Sequence, residues 1–397
     1  MDKMTVRDIA VSGKRVLLRV DLNVPLNEKT GEITDDNRIL ASLPTIKYLT
    51  EQGAKVILMS HLGRPKGIVV DGLRLAVVAR RLSQLLGQSV AMAPDCIGPE
   101  VEKLVANLKS GDVLLLENLR FHAEEEAGDA SFAQALARLG DVFVNDAFGA
   151  AHRAHASISG IANYLPAAAG FLLEKEIENL SNILQNPARP FASLLGGAKI
   201  SDKVSMLENI MGKVDFLLIG GGMAATFLKA KSYEVGLALV ETEMLDTTAR
   251  LMEKANKSRV QLFLPVDVVV ADELNEEAKI EVVPVEKIAT EKRIVDMGPQ
   301  TISNFSQKLQ NCQTIFWNGP VGIFEIPQFA QGTQELARLL ANLKATTIIG
   351  GGSTAEAVNE MGLADKMSFV STGGGASLEF LSGEKLPGVE ALSDKTS

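Results

Sequence analysis

The sequence predicts an α/β protein with parallel sheets, divided into two domains. Short apolar runs alternate with amphipathic helical stretches along almost the whole chain, a pattern typical of parallel strands connected by crossover helices. The chain has 397 residues, which is more than one ordinary core accommodates. The apolar runs are also too many for one comfortable sheet. We therefore expect two α/β domains, with ligands beyond the carboxyl ends of the strands.

The strand candidates follow one another at regular intervals. In the first half of the chain they are residues 16–20, 56–59, 113–116 and 142–144. In the second half they are residues 191–195, 216–219, 261–264, 314–316, 346–349 and 368–370. Helices are predicted between them, for example over 74–86 and 334–343, because leucines and valines repeat there at helical spacing.

A long helix over residues 171–184 marks the predicted divide between the domains. Leu173, Ile177 and Leu180 share one helical face, and Pro187 and Pro190 then prevent the helix from continuing. A helix that joins two domains is a natural mechanical link between them.

Composition limits the classes of partner. The chain carries 40 Lys and Arg against 49 Asp and Glu, a net charge of −9, which argues against broad binding of nucleic acid or acidic membranes. Cys96 and Cys312 are far apart and have no metal-ligand spacing, as in a protein of a reducing compartment. No leader-like N-terminal pattern and no apolar run of about 20 residues is present. We therefore expect a soluble, cytoplasmic protein.

Polar and cationic residues recur after the strands of the first half. Because parallel strands end at the same edge of a sheet, these residues are expected to gather there. Several arginines beside a histidine and an asparagine suit a small ligand rich in phosphate or carboxylate groups. The residues expected to gather are Asp21, Asn23, His61, Arg64, Arg120 and Arg153, and Arg38 comes soon after the first of these strands.

The stretch 191–203 predicts an anion-binding turn. A short buried strand is followed by Gly196 and Gly197, and then by a helix predicted to open on Lys199 and Lys203. Glycines let a ligand approach the backbone closely, and the free N–H groups of a helix start attract anions. Lysines at positions i and i+4 of that helix would reach one face, which suits a polyphosphate.

Glycines, not cations, follow the other strands of the second half. Glycine triplets occupy 220–222, 350–352 and 373–375, and residues 318–325 carry a further glycine-rich turn with Glu325. Bare backbone turns fit a ligand held by amide groups and a flat apolar surface, as a nucleotide would be. Glu325 is expected to accept hydrogen bonds from the ribose hydroxyls.

Two other functions remain open at this point. Residues 220–225 and 350–355 match G-x-G-x-x-[GA], which a dinucleotide-dependent dehydrogenase would carry, although neither match has a clear acidic residue about 20 residues later. The other alternative is a non-catalytic protein that binds an anionic metabolite. An assay with ADP distinguishes it from an enzyme, because an enzyme turns ADP over whereas a binding protein only binds it. His122, His152 and His155 show no metal-binding pattern and are interpreted as structural or as supporting the residues of a site.

Taken together, the segments 19–25, 61–65, 145–157, 196–203, 317–325 and 371–379 closely resemble the phosphoglycerate kinase family, and the resemblance covers essentially the whole chain. It implies magnesium-dependent phosphoryl transfer between ATP/ADP and 3-phosphoglycerate/1,3-bisphosphoglycerate, in glycolysis, gluconeogenesis or carbon fixation. It also implies a monomer of two Rossmann-like domains that close about a hinge. The expected domains are 1–172 for the glycerate substrate and 173–382 for the nucleotide, with 383–397 returning to the first domain.

The resemblance also implies roles for individual residues. The six residues at the strand ends of the first half, together with Arg38, bind the glycerate substrate, and Lys203 meets the nucleotide phosphates. Arg38 and Lys199, with the amides around Gly374 and Gly375, stabilise the phosphoryl group in flight. The nucleotide-binding residues are expected to be Gly197, Lys203, Gly221, Asn318, Pro320, Glu325, Gly351, Gly352, Ser353 and Thr354.

Two positions depart from the family pattern. Ser353 stands where the family usually has an aspartate that is associated with the metal–nucleotide, so Mg²⁺ is expected to be held here mostly through the nucleotide phosphates. Phe369 replaces a frequent histidine and is expected to matter little.

The implied chemistry needs no general base, because the attacking carboxylate has a pKa near ~4 and is already ionised at neutral pH. Catalysis then consists of positioning and charge neutralisation.

Overall fold

The computed structural model describes residues 2–395, which fall into two compact units. Unit 1 comprises the chain up to Glu178 together with the segment from Lys385 onward, and unit 2 runs from Asn179 to Glu384. Each unit alternates strands and helices, so the α/β fold class is confirmed. Within the described part of the chain, no helix combines the length and the apolar character needed to span a membrane.

Unit 1 is built on a six-stranded parallel sheet. Its strands are β1 (Arg15–Arg19), β2 (Lys55–Met59), β3 (Val90–Met92), β4 (Val113–Leu115), β5 (Val142–Asn145) and β6 (Ala167–Ala169). Their order across the sheet is β3-β4-β2-β1-β5-β6. Helices cover both faces, so the central strands are apolar along nearly their whole length. β3 and β6 have three residues each and were not predicted.

The helices that begin in unit 1 are α1 (Asn37–Glu51), α2 (Ala76–Leu86), α3 (Pro99–Ala106), α4 (Ala123–Ala127), α5 (Ala130–Ala137) and α6 (Phe171–Gln185). α6 is the helix predicted at the divide, and the boundary between the units lies within it. The buried Asp146, just after β5, caps α6 because its Oδ1 accepts the N–H groups of Leu172 and Leu173 at 2.8 and 3.2 Å.

Unit 2 contains a second six-stranded parallel sheet and a smaller antiparallel one. The strands are β7 (Phe191–Leu195), β8 (Phe216–Ile219), β9 (Gln261–Phe263), β10 (Asp267–Ala271), β11 (Ile280–Pro284), β12 (Arg293–Met297), β13 (Thr314–Asn318), β14 (Thr346–Gly350) and β15 (Phe369–Val370). The parallel sheet has the order β15-β14-β13-β7-β8-β9, with β7 and β13 at its centre.

The antiparallel sheet, in the order β11-β10-β12, is an addition to the predicted parallel sheets. The edge strand β11 is largely exposed, with Ile280 and Val282 about half accessible to solvent. An exposed edge strand lacks the continuous apolar run by which the buried strands were recognised.

The remaining helices are α7 (Val204–Ile210), α8 (Met223–Ala230), α9 (Leu245–Lys257), α10 (Pro299–Leu309), α11 (Gln331–Asn342), α12 (Gly352–Glu360), α13 (Gly375–Leu381) and α14 (Pro387–Glu390). α14 belongs to unit 1, where the N–H of Gly388 donates to the carbonyl of Ala151 at 2.8 Å. Asp394 forms an antiparallel bridge with Lys3 in the same unit.

Candidate active site

The polar residues after the unit 1 strands do gather at one edge of the sheet. Asp21 and Asn23 follow β1, His61 follows β2, and Arg120 lies in a 3₁₀ turn after β4, on three neighbouring strands. Arg38, in the first turn of α1, forms an ion pair with Asp21. We call the seven residues Asp21, Asn23, Arg38, His61, Arg64, Arg120 and Arg153 the basic cluster.

The loop at Gly63 ties the strand ends together. Its N–H donates to Asn23 Oδ1 at 2.8 Å, and its carbonyl accepts from Arg120 Nη1 at 3.1 Å. Asn118 supports the same loop: its Nδ2 donates to the carbonyl of Leu62 at 2.8 Å, and its Oδ1 accepts the N–H of Arg120 at 3.1 Å. Asn118 is fully buried and organises the edge without belonging to the predicted set.

Arg64 and Arg153 lie at the periphery of the basic cluster. Both side chains are exposed. Arg153 is close enough to Arg120 and His155 to lower the pKa of each, after the larger effect of burial. Arg64 follows Gly63 directly in the chain and reaches the edge by that connection. Nε of Arg120 is buried and has no hydrogen-bond partner. Its nearest carboxylate oxygen is Glu126 Oε1, at 3.6 Å.

Arg19 determines the tautomer of His61. The fully buried guanidinium of Arg19 places Nη2 3.1 Å from His61 Nδ1. Because a guanidinium has only donors, Nδ1 accepts and the proton of the neutral ring resides on Nε2. Burial, followed by the charge of Arg19, lowers the pKa of His61 well below its usual range. His61 is therefore a neutral hydrogen-bond donor through Nε2 at physiological pH.

A buried carboxylate balances Arg19. Nε of Arg19 donates to Ser157 Oγ at 2.9 Å, and the Ser157 hydroxyl in turn donates to Glu125 Oε1. Burial raises the pKa of Glu125, and the nearby Arg19 opposes that shift. Neither Glu125 nor Ser157 was predicted to matter, because a glutamate in a helix and a serine in a loop carry no sequence signal for burial. His155 is neutral as well, since burial and the surrounding arginines lower its pKa to about 4.

In unit 2, the turn after β7 differs from the prediction in one respect. The helix begins at Val204, with Lys203 as its N-cap residue, so Lys199 and Lys203 lie in the turn and do not share a helical face. The physical reason is the hydrogen bonding of the backbone: the N–H of Lys203 closes a turn on the carbonyl of Ile200 at 2.8 Å, and the first α-helical bond is that of the Leu207 N–H to the carbonyl of Lys203. The carboxylate of Glu241 fixes this turn, because it accepts the N–H groups of Ile200 and Ser201 at 2.6 and 3.1 Å and the Ser201 hydroxyl.

Lys199 and Lys203 consequently occupy different environments. Lys199 is exposed, whereas Lys203 is 7% accessible and donates from Nζ to Asn318 Oδ1, at the end of β13. Burial lowers the pKa of Lys203 from 10.5 to about 8. Nδ2 of Asn318 is buried without a hydrogen-bond partner, which leaves a donor available beside the Lys203 ammonium group.

The glycine turns of β7, β8 and β13 meet at the edge of the unit 2 sheet. The N–H of Gly197 donates to the carbonyl of Pro320 at 2.9 Å, and that of Gly221 donates to Val321 at 3.2 Å. Gly221 has a φ of +65°, and an added Cβ would lie 2.7 Å from the Gly197 nitrogen. Only glycine fits such a close approach of two backbones.

A cavity of about 900 Å³ opens beside these turns, and we call it the unit 2 cavity. Gly197, Gly221, Pro320, Glu325 and Ser353 all line it, which brings five of the predicted nucleotide residues together. Apolar side chains form much of the remaining wall: Leu228, Leu237, Leu239, Val240, Leu274 and Val321.

Asp296 also lines the unit 2 cavity but was not predicted. Its Oδ2 accepts the N–H of Gly332 and its Oδ1 accepts that of Met297, both at 2.8 Å. Burial raises the pKa of Asp296 to about 7. An added Cβ at Gly322 would touch its carboxylate, so Asp296 also supports the turn that carries Glu325.

The other predicted residues of unit 2 lie around the same edge. Gly351 and Gly352 start α12 with Ser353, and the Thr354 hydroxyl accepts the N–H of Gly319 at 2.6 Å. Gly374 and Gly375 start α13, which packs against α7, the helix that follows Lys203. They are absent from the wall of the unit 2 cavity.

Comparisons with known proteins agree with this geometry. A family model described as phosphoglycerate kinase matches residues 6–384. The phosphoglycerate kinase of Moorella thermoacetica is 54% identical over 395 residues, covering 100% of both chains. That of Roseiflexus castenholzii is 54% identical over 396 residues and covers 99% of this chain and 100% of its own.

Solved structures give the same result. The phosphoglycerate kinase of Coxiella burnetii superimposes with a TM-score of 0.88 at 44% identity, covering 98% of each chain. That of Pyrococcus horikoshii superimposes with a TM-score of 0.87 at 34% identity, again over 98% of each chain.

Proposed function

Since the chain belongs to the phosphoglycerate kinase family, and is thus an enzyme that transfers a phosphoryl group between ATP and 3-phosphoglycerate, we propose that its basic cluster binds the glycerate substrate and its unit 2 cavity binds the nucleotide. The dehydrogenase and the non-catalytic binding protein considered above are not supported. The observation that carries the assignment is the excess of guanidinium groups at the unit 1 edge, against apolar walls and glycine turns in unit 2.

The basic cluster suits the carboxylate and phosphate of the glycerate. Arg120 offers a guanidinium group, and His61 offers Nε2–H as a neutral donor. The exposed guanidinium groups of Arg64 and Arg153 are suited to a phosphate. Asp21 and Asn23, at the end of β1, accept and donate hydrogen bonds suited to the hydroxyl of the substrate.

The unit 2 cavity suits ATP or ADP. Its apolar wall fits a flat base, Glu325 fits the ribose hydroxyls, and Gly197 and Gly221 carry no side chain that would keep the ligand from the backbone. Lys203, Asn318 and the start of α12 at Gly351, Gly352, Ser353 and Thr354 provide donors for the phosphates. Pro320 fixes the turn that faces Gly197.

The chemistry that we propose is transfer by charge neutralisation without a general base. The attacking carboxylate of 3-phosphoglycerate is ionised at neutral pH, so no proton has to be removed. His61 is unsuited to act as a base, since Nδ1 faces Arg19 and Nε2 carries the proton. Arg38, Lys199 and the amides of Gly374 and Gly375 are assigned to the charge on the moving phosphoryl group.

Magnesium is proposed to accompany the nucleotide. Mg²⁺ prefers oxygen ligands and keeps several waters, so one protein oxygen with the phosphates makes a plausible set. Ser353 offers a neutral hydroxyl at the cavity wall, whereas both carboxylate oxygens of Asp296 already accept backbone N–H groups. This donor set fits an ion held mainly by phosphates. When bound, the ion neutralises phosphate charge, and Ser353 would help to orient it.

Ser353→Asp is expected to lower the Mg²⁺ concentration that gives half-maximal rate by roughly fivefold, because a carboxylate adds about 1 kcal/mol of attraction near a partly hydrated dication. The measurement is a magnesium titration of the initial rate at fixed nucleotide. Ser353→Asn is the matched control, since it has the shape of aspartate without the charge. Superimposable titrations of the parent and both variants would mean that position 353 does not govern the metal.

Transfer also requires the two ligands to meet, and we infer that their joint binding closes the protein about the hinge that the family resemblance implies. Small-angle scattering is expected to give a smaller radius of gyration with 3-phosphoglycerate and a non-hydrolysable ATP analogue together than with either alone. A radius that stays the same in the ternary complex would remove the hinge from the mechanism.

We further propose that the enzyme acts as a cytoplasmic monomer with small-molecule partners only, neither nucleic acid nor membrane. The net charge of −9 supports this assignment. Size-exclusion chromatography with light scattering tests the oligomeric state, and a mass of twice 42.5 kDa would overturn it.

A further inference from the structure

One group of three metal-ligating side chains converges within the part of the chain that the structure describes, and it lies outside both proposed binding sites. It consists of Asp95, Cys96 and His122, whose ligand atoms all lie within 4.8 Å of one another. Asp95 and Cys96 occupy the loop after β3, and His122 follows the 3₁₀ turn after β4. β3 and β4 are parallel neighbours, so their loops meet at the same edge of the sheet.

The side chains of this group are held in place before any ion binds. Asp95 Oδ1 lies 2.7 Å from His122 Nε2 and accepts the N–H of Cys96 at 2.7 Å. The His122 ring packs against Phe132, with 5.2 Å between ring centroids. The backbone of Asp95 is fixed as well, since its carbonyl accepts the N–H of Glu117.

Solvent reaches the group from one side. Cys96 is completely buried and forms its floor, whereas the side chains of Asp95 and His122 are 48% and 25% accessible. An ion would therefore enter past the carboxylate and the imidazole and meet the sulfur last. The open side leaves room for water as a fourth ligand.

The donor set selects the class of ion. One sulfur, one imidazole nitrogen and one carboxylate oxygen suit zinc and similar thiophilic cations, whereas Mg²⁺ and Ca²⁺ prefer oxygen alone. Zinc bond lengths of about 2.0–2.3 Å in a tetrahedron put the ligand atoms roughly 3.3–3.8 Å apart. The ligand atoms lie within 4.8 Å of one another, and the 2.7 Å hydrogen bond between Asp95 and His122 has to open for an ion to enter.

We propose that Asp95, Cys96 and His122 form a binding site for one thiophilic divalent cation of the zinc class, with water as the fourth ligand. The charges balance, because a thiolate and a carboxylate neutralise the dication while the imidazole remains neutral. Cys96 gives up its proton to solvent when the metal–sulfur bond forms. The sequence has no local pattern that indicates this site, because His122 is 26 residues from Cys96 in the chain and no short motif contains both.

Cobalt(II) is the spectroscopic probe for this site. Metal-free full-length protein titrated with Co²⁺ is expected to develop a thiolate-to-cobalt charge-transfer band and the visible bands of tetrahedral cobalt, saturating at one ion per chain. Added Zn²⁺ should abolish both. Absence of a thiolate band, or octahedral cobalt alone, would overturn the proposal.

Three variants make the test specific. Cys96→Ser should eliminate the charge-transfer band, and His122→Gln should weaken Co²⁺ and Zn²⁺ binding by at least about tenfold. Cys312→Ser is the matched control, because Cys312 is the other cysteine and is also buried, and it should keep the band. Circular dichroism checks that each variant is folded, and Asp95→Asn replaces any that is not. A band that survives Cys96→Ser, or undiminished affinity in a folded His122→Gln or Asp95→Asn variant, would contradict the three-ligand site.

Discussion

Arg38→Ala is expected to lower kcat by roughly 100-fold or more while changing KM for 3-phosphoglycerate only modestly, as the loss of a charge that acts in the transition state does. Arg38 differs from the other guanidinium groups of the basic cluster because it lies in the first turn of α1, paired with Asp21 and 39% accessible. Steady-state kinetics with both substrates varied gives the two parameters.

Arg81→Ala is the matched control for Arg38→Ala. Arg81 is 40% accessible and also pairs with an aspartate, Asp36, but lies outside the basic cluster. Its replacement should leave both kinetic parameters near those of the parent. If Arg38→Ala instead keeps a normal kcat and only raises KM, then Arg38 serves ground-state binding and not the transition state.

Lys203 is expected to make nucleotide binding depend on pH above about 8. The charged ammonium group attracts phosphate, and burial lowers the pKa of Lys203 to about 8, so the free enzyme loses this charge as the pH rises through that value. KM for ADP should therefore rise by about tenfold per pH unit well above pH 8, and binding there should take up a proton. Titration calorimetry in buffers of different ionisation enthalpy measures the uptake.

Lys203→Arg separates this cause from others. A guanidinium stays charged throughout the range, so the variant should bind ADP with little change between pH 7 and about 9.5. Lys229→Arg, at another lysine of the unit 2 cavity wall, should retain the pH dependence of the parent. A Lys203→Arg variant whose KM still climbs above pH 8 would assign the titration to another group.

The fold was readable from sequence where burial makes the pattern strong. The strands β1, β2, β7 and β8 are buried along nearly their whole length, and their predicted limits differ from those observed by one residue at most. β3 and β6, of three residues each, and the antiparallel strands β10, β11 and β12 were not predicted, and β11 is exposed, so burial does not mark it.

The candidate site was predictable to the extent that it depends on strand order. Residues that follow parallel strands must meet at one edge, so Asp21, His61 and Arg120 were placed together correctly. The supporting groups were not predictable. Glu241 fixes the turn at Ile200 and Ser201 from a distant part of the chain, and Arg19 orients His61 across two strands. Such contacts join distant parts of the chain and leave no local pattern.

In the proposed mechanism the phosphoryl group passes from ATP to an ionised carboxylate, and no proton is transferred in that step. Its most direct test is a single turnover of ATP with 3-phosphoglycerate in H₂O and in D₂O, the acyl phosphate being captured with hydroxylamine as the hydroxamate. Hydroxamate is expected to form in the two solvents at rates whose ratio is about 1. A ratio of about 2 or more on the transfer step would show a proton moving with the phosphoryl group and would contradict it.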